Sequence, residues 1–176
     1  LDLSAAFDTV DHDILLRRLR VSYGIDGVAL QWVRSCFGGR TQFVKYRSCR
    51  SSKALVRYGV PRGSVLGPIL FVLYTADLVA LIESHGLSPH LYADDAQILG
   101  SCCPTNTAVL RPRMETCIAD VGGWMSSNRL QLNTAKTEVM WCSSARRRQQ
   151  VPADCFVIGP DSVAPINCVR DLGLYL

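Results

Sequence analysis

The segment Tyr92-Ala93-Asp94-Asp95 constrains the fold more than any other. It lies between two short apolar runs, His90-Leu91-Tyr92 and Gln97-Ile98-Leu99. Two neighbouring carboxylates are costly to bury in a continuous strand, so the chain reads here as strand, tight turn, strand. Such a hairpin has a face to cover, and the sequence supplies helices for it. Asp11 reads as an N-cap, with Ile14, Leu15, Leu16 and Leu19 at helical spacing and Arg17, Arg18 and Arg20 on the other side. Gly24 ends that helix, and Asp26 opens a second that Gly38-Gly39 closes.

Thr41 to Arg47 and Lys53 to Tyr58 are rich in β-branched and aromatic residues and predict a hairpin around the polar loop Ser48 to Ser52. The Gly/Pro-rich loop Gly59 to Gly67 precedes an apolar helix from Leu66 to about Ser84. Thr105 to Asn128 has helical spacing despite Pro112 and Gly122-Gly123. Lys136 to Trp141 predicts a strand, Arg146-Arg147-Arg148 a loop, and short strands alternate with turns beyond it. The order implies an α+β fold, an antiparallel sheet with helices packed on one face.

Composition narrows the function. Hydrophobic residues make up 48% of the 176 and charged residues 19%, which excludes a disordered chain. The length suits one domain. A formal charge of +4 permits a polyanionic partner without demanding one. Leu1 is not a methionine, and both ends are apolar, as if cut inside structure, so the chain reads as a fragment of something longer. No secretory leader fits the start, where Asp2 stands in place of a basic region. Val65 to Ile82 is the one stretch to weigh as a membrane span. Gly67-Pro68 and Asp77 interrupt it, so a buried helix and no membrane partner are expected. The eight cysteines form no C-x-x-C pair and no finger spacing with His85 or His90, so reduced thiols and an intracellular setting are expected.

Four segments carry chemistry. Asp94 and Asp95 repel each other unless a cation lies between them, and oxygen-only ligands favour magnesium; aspartate is equally a turn residue. Asp2 ends an apolar strand, as a cap or as a group with a chemical task. Asp8, Asp11 and Asp13 lack calcium-loop spacing and read as capping and surface residues. In Gly59-Val60-Pro61-Arg62-Gly63-Ser64-Val65-Leu66-Gly67-Pro68, glycines permit close backbone approach to a ligand at a helix N-terminus, or the loop simply turns. It lacks the G-x-S-x-G of a hydrolase elbow. Lys136 follows a turn in Asn133-Thr134-Ala135-Lys136, where a solvated lysine is ordinary.

Taken in order, these segments resemble the palm of a reverse transcriptase of the non-LTR, LINE-like retrotransposon type, over essentially the whole chain. Asp2 with Phe7 behind it is similar to the first palm motif, and Gly59 to Pro68 to the second. Tyr92 to Asp95 is similar to the Y-x-D-D box, Asn133 to Lys136 to the fourth motif, and Leu172 to Leu176 to the start of the primer-grip hairpin. The resemblance implies a ferredoxin- or RRM-like palm core spanning 1–176, with fingers largely missing upstream and a thumb missing downstream. It implies RNA-directed DNA polymerase activity on an RNA template, a DNA primer and deoxynucleoside triphosphates.

Asp2, Asp94 and Asp95 would hold two magnesium ions, with manganese as the substitute, for in-line nucleotidyl transfer. Lys136 would be the general acid for pyrophosphate. Phe7 would exclude a ribose 2′-OH or serve the core. Gly63 and Arg62 would meet the incoming nucleotide, and Tyr92 the primer end. Arg62 departs from the family, where glutamine is usual; a longer, charged side chain could hold a phosphate.

The isolated chain is expected to polymerise weakly or not at all, since most non-specific nucleic-acid affinity comes from phosphate contacts and +4 is a small excess. The alternative is a catalytically inactive or co-opted palm remnant acting as a binding module. An RNA-templated RNA polymerase is disfavoured by Ala93 before the aspartates and by the bulk of Phe7. Nuclear action follows from the resemblance alone.

Overall fold

The computed structural model describes residues 1–61, 63–171 and 174–175, and divides into two compact units. One comprises 5–76 and 128–130; the other comprises 1–4, 77–127 and 131–176.

The first unit holds α1 (Ala6–Thr9), α2 (His12–Val21), α3 (Gly27–Ser35), β1 (Thr41–Gln42), β2 (Lys45–Tyr46), β3 (Cys49–Arg50), β4 (Ala54–Leu55) and α4 (Leu66–Thr75). Asp11 caps α2 as expected: its Oδ1 accepts from the Asp13 and Ile14 amides, both at 3.0 Å. Leu15, Leu16 and Leu19 of α2 are buried, and the helix packs on α3 and α4. Leu30, Phe71 and Tyr74 complete that core, each apolar side chain stabilising by about 1.5–3 kcal/mol. Arg18 donates to the Tyr74 carbonyl and, at 2.8 Å, to Asn128 Oδ1, while the Tyr74 hydroxyl donates to the Asn128 carbonyl at 2.5 Å. Burial raises the Tyr74 pKa above the ordinary phenolic value.

The predicted hairpin at 41–58 forms as two short antiparallel ladders, β1 with β4 and β2 with β3. The apolar helix expected over 66–84 divides at Ala76. Thr75 Oγ1 donates back to the Phe71 carbonyl at 3.0 Å at the end of α4, and Ala76 keeps helical dihedrals (φ −58°, ψ −30°). By length and composition 66–84 could cross a membrane, yet Leu70, Phe71 and Tyr74 on one side of the break and Leu78 and Ile82 on the other are buried in protein.

The second unit holds α5 (Asp77–Ser84), β5 (Ser88–Tyr92), β6 (Asp95–Leu99), α6 (Thr107–Ser127), β7 (Phe156–Ile158), β8 (Asp161–Val163), β9 (Arg170–Asp171) and β10 (Leu174–Tyr175). α5 packs on β5 and α6, and α6 packs on β7. β5 pairs with β6 as the expected strand, turn and strand, with Tyr92 opposite Asp95 and Ala93-Asp94 as the turn. Ile118, Phe156 and Ile158 centre the core, with Met114, Ile98 and Val139 packed against them. Leu172, Gly173 and Leu176 of the segment likened to a primer-grip hairpin, and Arg62, lie outside the described residues.

Helices and small antiparallel sheets make the fold α+β. The described strands form five two-stranded ladders rather than one continuous sheet. Lys136 to Trp141 is not a strand: Thr134–Lys136 is a 3-10 turn, and Thr137 returns its amide to Thr134 and its hydroxyl to Asn133. These short-range bonds displace a ladder, and only Met140 bridges another segment, at Ile166. Arg146-Arg147-Arg148, expected as a loop, lies within a 3-10 helix, Ala145–Gln150.

All eight cysteines are unbridged, as expected. Burial pushes the Cys117 thiol up to about 11, with Asp120 adding to the shift, whereas Cys49, Cys102, Cys103, Cys142, Cys155 and Cys168 are exposed. An aromatic disulfide reagent at pH 8 should therefore label the exposed thiols within minutes and reach Cys117 only on unfolding. Rapid labelling of Cys117 in the native chain would contradict its buried position.

Candidate active site

Segment 1–4 lies between two neighbours in the second unit. The Leu1 nitrogen donates to the Ala96 carbonyl at 2.7 Å, and the Ala96 amide returns a bond of 3.4 Å to the Leu1 carbonyl. A reciprocal pair of this kind is the antiparallel pattern, so Asp2 stands across from Asp95. On the other edge Leu3 bridges Leu132, with the Ser4 amide on the Gln131 carbonyl and the Asn133 amide on the Asp2 carbonyl.

That second pairing has a chemical consequence. It places Asn133 beside Asp2, and Asn133 Nδ2 donates to Asp2 Oδ2 at 3.0 Å. One carboxylate oxygen is thereby oriented, while the other has no hydrogen bond among the described residues. The sequence reading assigned no task to Asn133; its signal was its place three residues before Lys136.

Asp2, Asp95 and Lys136 line one open cavity of about 790 Å³. Its deeper wall is apolar and includes Ile98, Leu110, Met114 and Phe156. Trp141 also lines it, and its buried Nε1 has no hydrogen-bond partner among the described residues.

Asp94 is half-buried on the turn and is not part of that lining. Its neighbour Ala93 has φ 53°, a left-handed conformation that costs a non-glycine residue about 1 kcal/mol and marks a turn held under strain. Tyr92 is 63% exposed beside it. The three aspartates singled out in the sequence are thus brought to one hairpin and its neighbouring strand. Among the described residues, however, no three His, Cys, Asp or Glu side chains already stand as a metal-binding group.

The remaining residues belong to the first unit. Phe7 is half-buried, its ring centroid 4.9 Å from that of Phe71, so it packs in part and stays in part exposed. Gly63 is exposed at φ 73°. Gly59 and Gly67 serve a purpose other than ligand approach. A Cβ on Gly59 would lie 2.8 Å from Asp8 Cα and from the Phe7 carbonyl oxygen, and one on Gly67 would lie 2.6 Å from the Pro61 carbonyl oxygen. The Gly59 amide donates to the Val10 carbonyl and the Val60 amide to the Phe7 carbonyl, so the loop is seated on α1 by its own backbone. Ser64 Oγ closes the loop by donating to the Pro61 carbonyl and accepting from the Gly67 amide at the start of α4.

Comparison with known proteins shows the family. Residues 1–159 match the family described as reverse transcriptase (RNA-dependent DNA polymerase), and the chain belongs to that family. Its relatives come from mobile elements. It is 32% identical over 144 residues, 78% of this chain, to the probable RNA-directed DNA polymerase from transposon BS of Drosophila melanogaster, covering 15% of that protein. It is 37% identical, across its whole length, to the probable RNA-directed DNA polymerase from transposon X-element of the same fly, covering 19% of it. It is also 33% identical over 83 residues, 47% of the chain, to the Retrovirus-related Pol polyprotein from type-1 retrotransposable element R2 of Popillia japonica, covering 14% of it. The chain thus spans less than a fifth of the length of these relatives.

Proposed function

We propose that this chain is the palm of an RNA-directed DNA polymerase that adds deoxynucleotides to a primer 3′-OH on an RNA template. One observation carries the reading: Asp2 and Asp95, far apart in sequence, face one cavity with Lys136 because the Asp2 strand pairs with β6. The palm's RRM-like sheet would then run through β5, β6, segment 1–4 and 131–133, with fingers upstream and a thumb downstream. The site of action would be the nucleus, where chromosomal DNA supplies the primer.

The donor set of Asp2, Asp94 and Asp95 is all oxygen, and it fits hard divalent ions of the magnesium class. Two bound ions would supply charge neutralisation at both the attacking and the leaving oxygens. The chain's own residues do the rest. Asn133 holds the Asp2 carboxylate in register. Lys136, exposed at the cavity rim, donates an Nζ proton to the departing pyrophosphate. By the resemblance, Phe7 would be the residue that excludes a ribose 2′-OH. Tyr92 rests against the primer end.

Primer extension tests this, using the chain joined to its flanking coding sequence. Deoxynucleotide addition to a DNA primer on an RNA template should occur with magnesium and cease with EDTA. A binding-only palm is the second reading, favoured by the lack of a ready three-carboxylate group among the described residues. Template binding without extension, at any magnesium or manganese concentration, would decide for it. In the active protein, Phe7→Ala should raise ribonucleotide incorporation relative to deoxynucleotide by roughly tenfold or more, the scale set by one steric contact of about 1–3 kcal/mol. Unchanged sugar selectivity would leave Phe7 as a packing residue against Phe71.

A further inference from the structure

The net charge of +4 conceals how the charges are distributed. No aspartate or glutamate occurs between Asp26 and Asp77. Within that interval Arg40, Lys45, Arg47, Arg50, Lys53 and Arg57 fall on or beside the β1–β4 hairpin. Lys45, Arg47, Arg50 and Lys53 have no carboxylate partner among the described residues. Every residue from Thr41 to Leu55 is exposed, so the hairpin contributes nothing to a core.

Rings are interleaved with these cations. Phe43 is 44% exposed, Tyr46 69% and Tyr58 55%. The Arg50 guanidinium lies 5.2 Å from the Phe43 ring centroid, and the Arg47 guanidinium 5.3 Å from that of Tyr46. A purely solvated arm would need charge and turn residues only. An arm for docking an ordinary protein surface would need some carboxylates to balance so many cations. Unpaired cations beside exposed rings, on paired segments of two residues each, match a polyanion that also presents flat aromatic faces. Unpaired bases present such faces and paired bases do not.

We propose that the 41–55 hairpin is an arm that binds single-stranded RNA, with Lys45, Arg47 and Arg50 on phosphates and Phe43 and Tyr46 stacking on bases. The polymerase reading enters in naming that strand as RNA and as the template. The binding itself requires neither the carboxylates nor a metal.

The test is fluorescence anisotropy of the whole chain in EDTA, with a labelled single-stranded RNA of about twenty nucleotides and the same RNA as a duplex. The single strand should bind more tightly. Lys45→Gln/Arg47→Gln/Arg50→Gln should reduce the slope of log K against log salt by about 2, at ~0.7 per lost contact. Phe43→Ser/Tyr46→Ser should keep the slope and weaken binding by about thirtyfold or more, at ~1 kcal/mol or more per lost stack. Thermal melts check folding, and Arg47→Gln alone, with a slope change of about 0.7, carries the readout should the triple variant fail to fold. Preference for duplex overturns the proposal. So does either hairpin variant binding like the unaltered chain, or hairpin-dependent self-association with RNA affinity untouched. RNA binding as expected, together with no primer extension by the chain joined to its flanking coding sequence, would sink the polymerase reading and leave the arm standing.

Discussion

The substitution Asp94→Asn should lower template-directed nucleotide addition by at least about 10²–10³-fold, the equivalent of several kcal/mol of transition-state charge stabilisation. Asp94 belongs to the tight turn between β5 and β6, and Asp95 opens β6 opposite Tyr92. Asparagine keeps the size and the turn preference of aspartate but removes the charge that would oppose two divalent ions. Folding should therefore be retained while chemistry is lost. Asp2→Asn should behave the same way, since its carboxylate faces the same cavity as Asp95. Single-turnover primer extension, paired with a thermal melt, reads both quantities. Activity within a fewfold of the unaltered protein in either variant would show that these carboxylates do not support the reaction.

The second large effect is structural. Gly59→Ala should destabilise the first unit by about 3 kcal/mol or more, measured by denaturant unfolding. Two costs combine: φ is 89°, where a side chain is strained, and the new Cβ would meet three backbone atoms of Phe7 and Asp8 within 2.9 Å. Backbone cannot yield as a side-chain tip can, so the loop must lift from α1. Because the Val60 amide is bonded to the Phe7 carbonyl, lifting the loop also releases Phe7. Gly63→Ala is the control. It has a positive φ of 73° but open space around it, so it should cost only about 1 kcal/mol. Equal costs for the two variants would mean that close approach is not what Gly59 supplies.

How legible these features were depended on whether the determining forces were local. The Asp11 cap, the Asp26 cap and the Tyr92–Asp95 turn rest on short-range hydrogen bonding and turn chemistry, and the structure has them where the residues indicated. The strand expected from Lys136 failed for a local reason too: Thr137 bonds back to Asn133 and Thr134, and periodicity does not register that competition. The break at Thr75-Ala76 was hidden inside a run of apolar residues. Glycines of the second motif were read as room for a ligand. Pattern alone cannot tell whether the neighbour that needs the room is a ligand or the chain's own backbone, and here it is Phe7, Asp8 and Pro61. Nor could it show that Asn133 steadies Asp2, because that depends on a contact between distant segments.

Asp2 reaches the cavity only as the middle member of three backbone segments, with Ala96 on one flank and Leu132 on the other. Side chains alternate sides along such a segment, so losing one residue between Leu130 and Asn133 would turn the asparagine away and set Lys136 on the opposite side. Insertions and deletions in functional relatives of this chain should therefore avoid the few residues on either side of this seam.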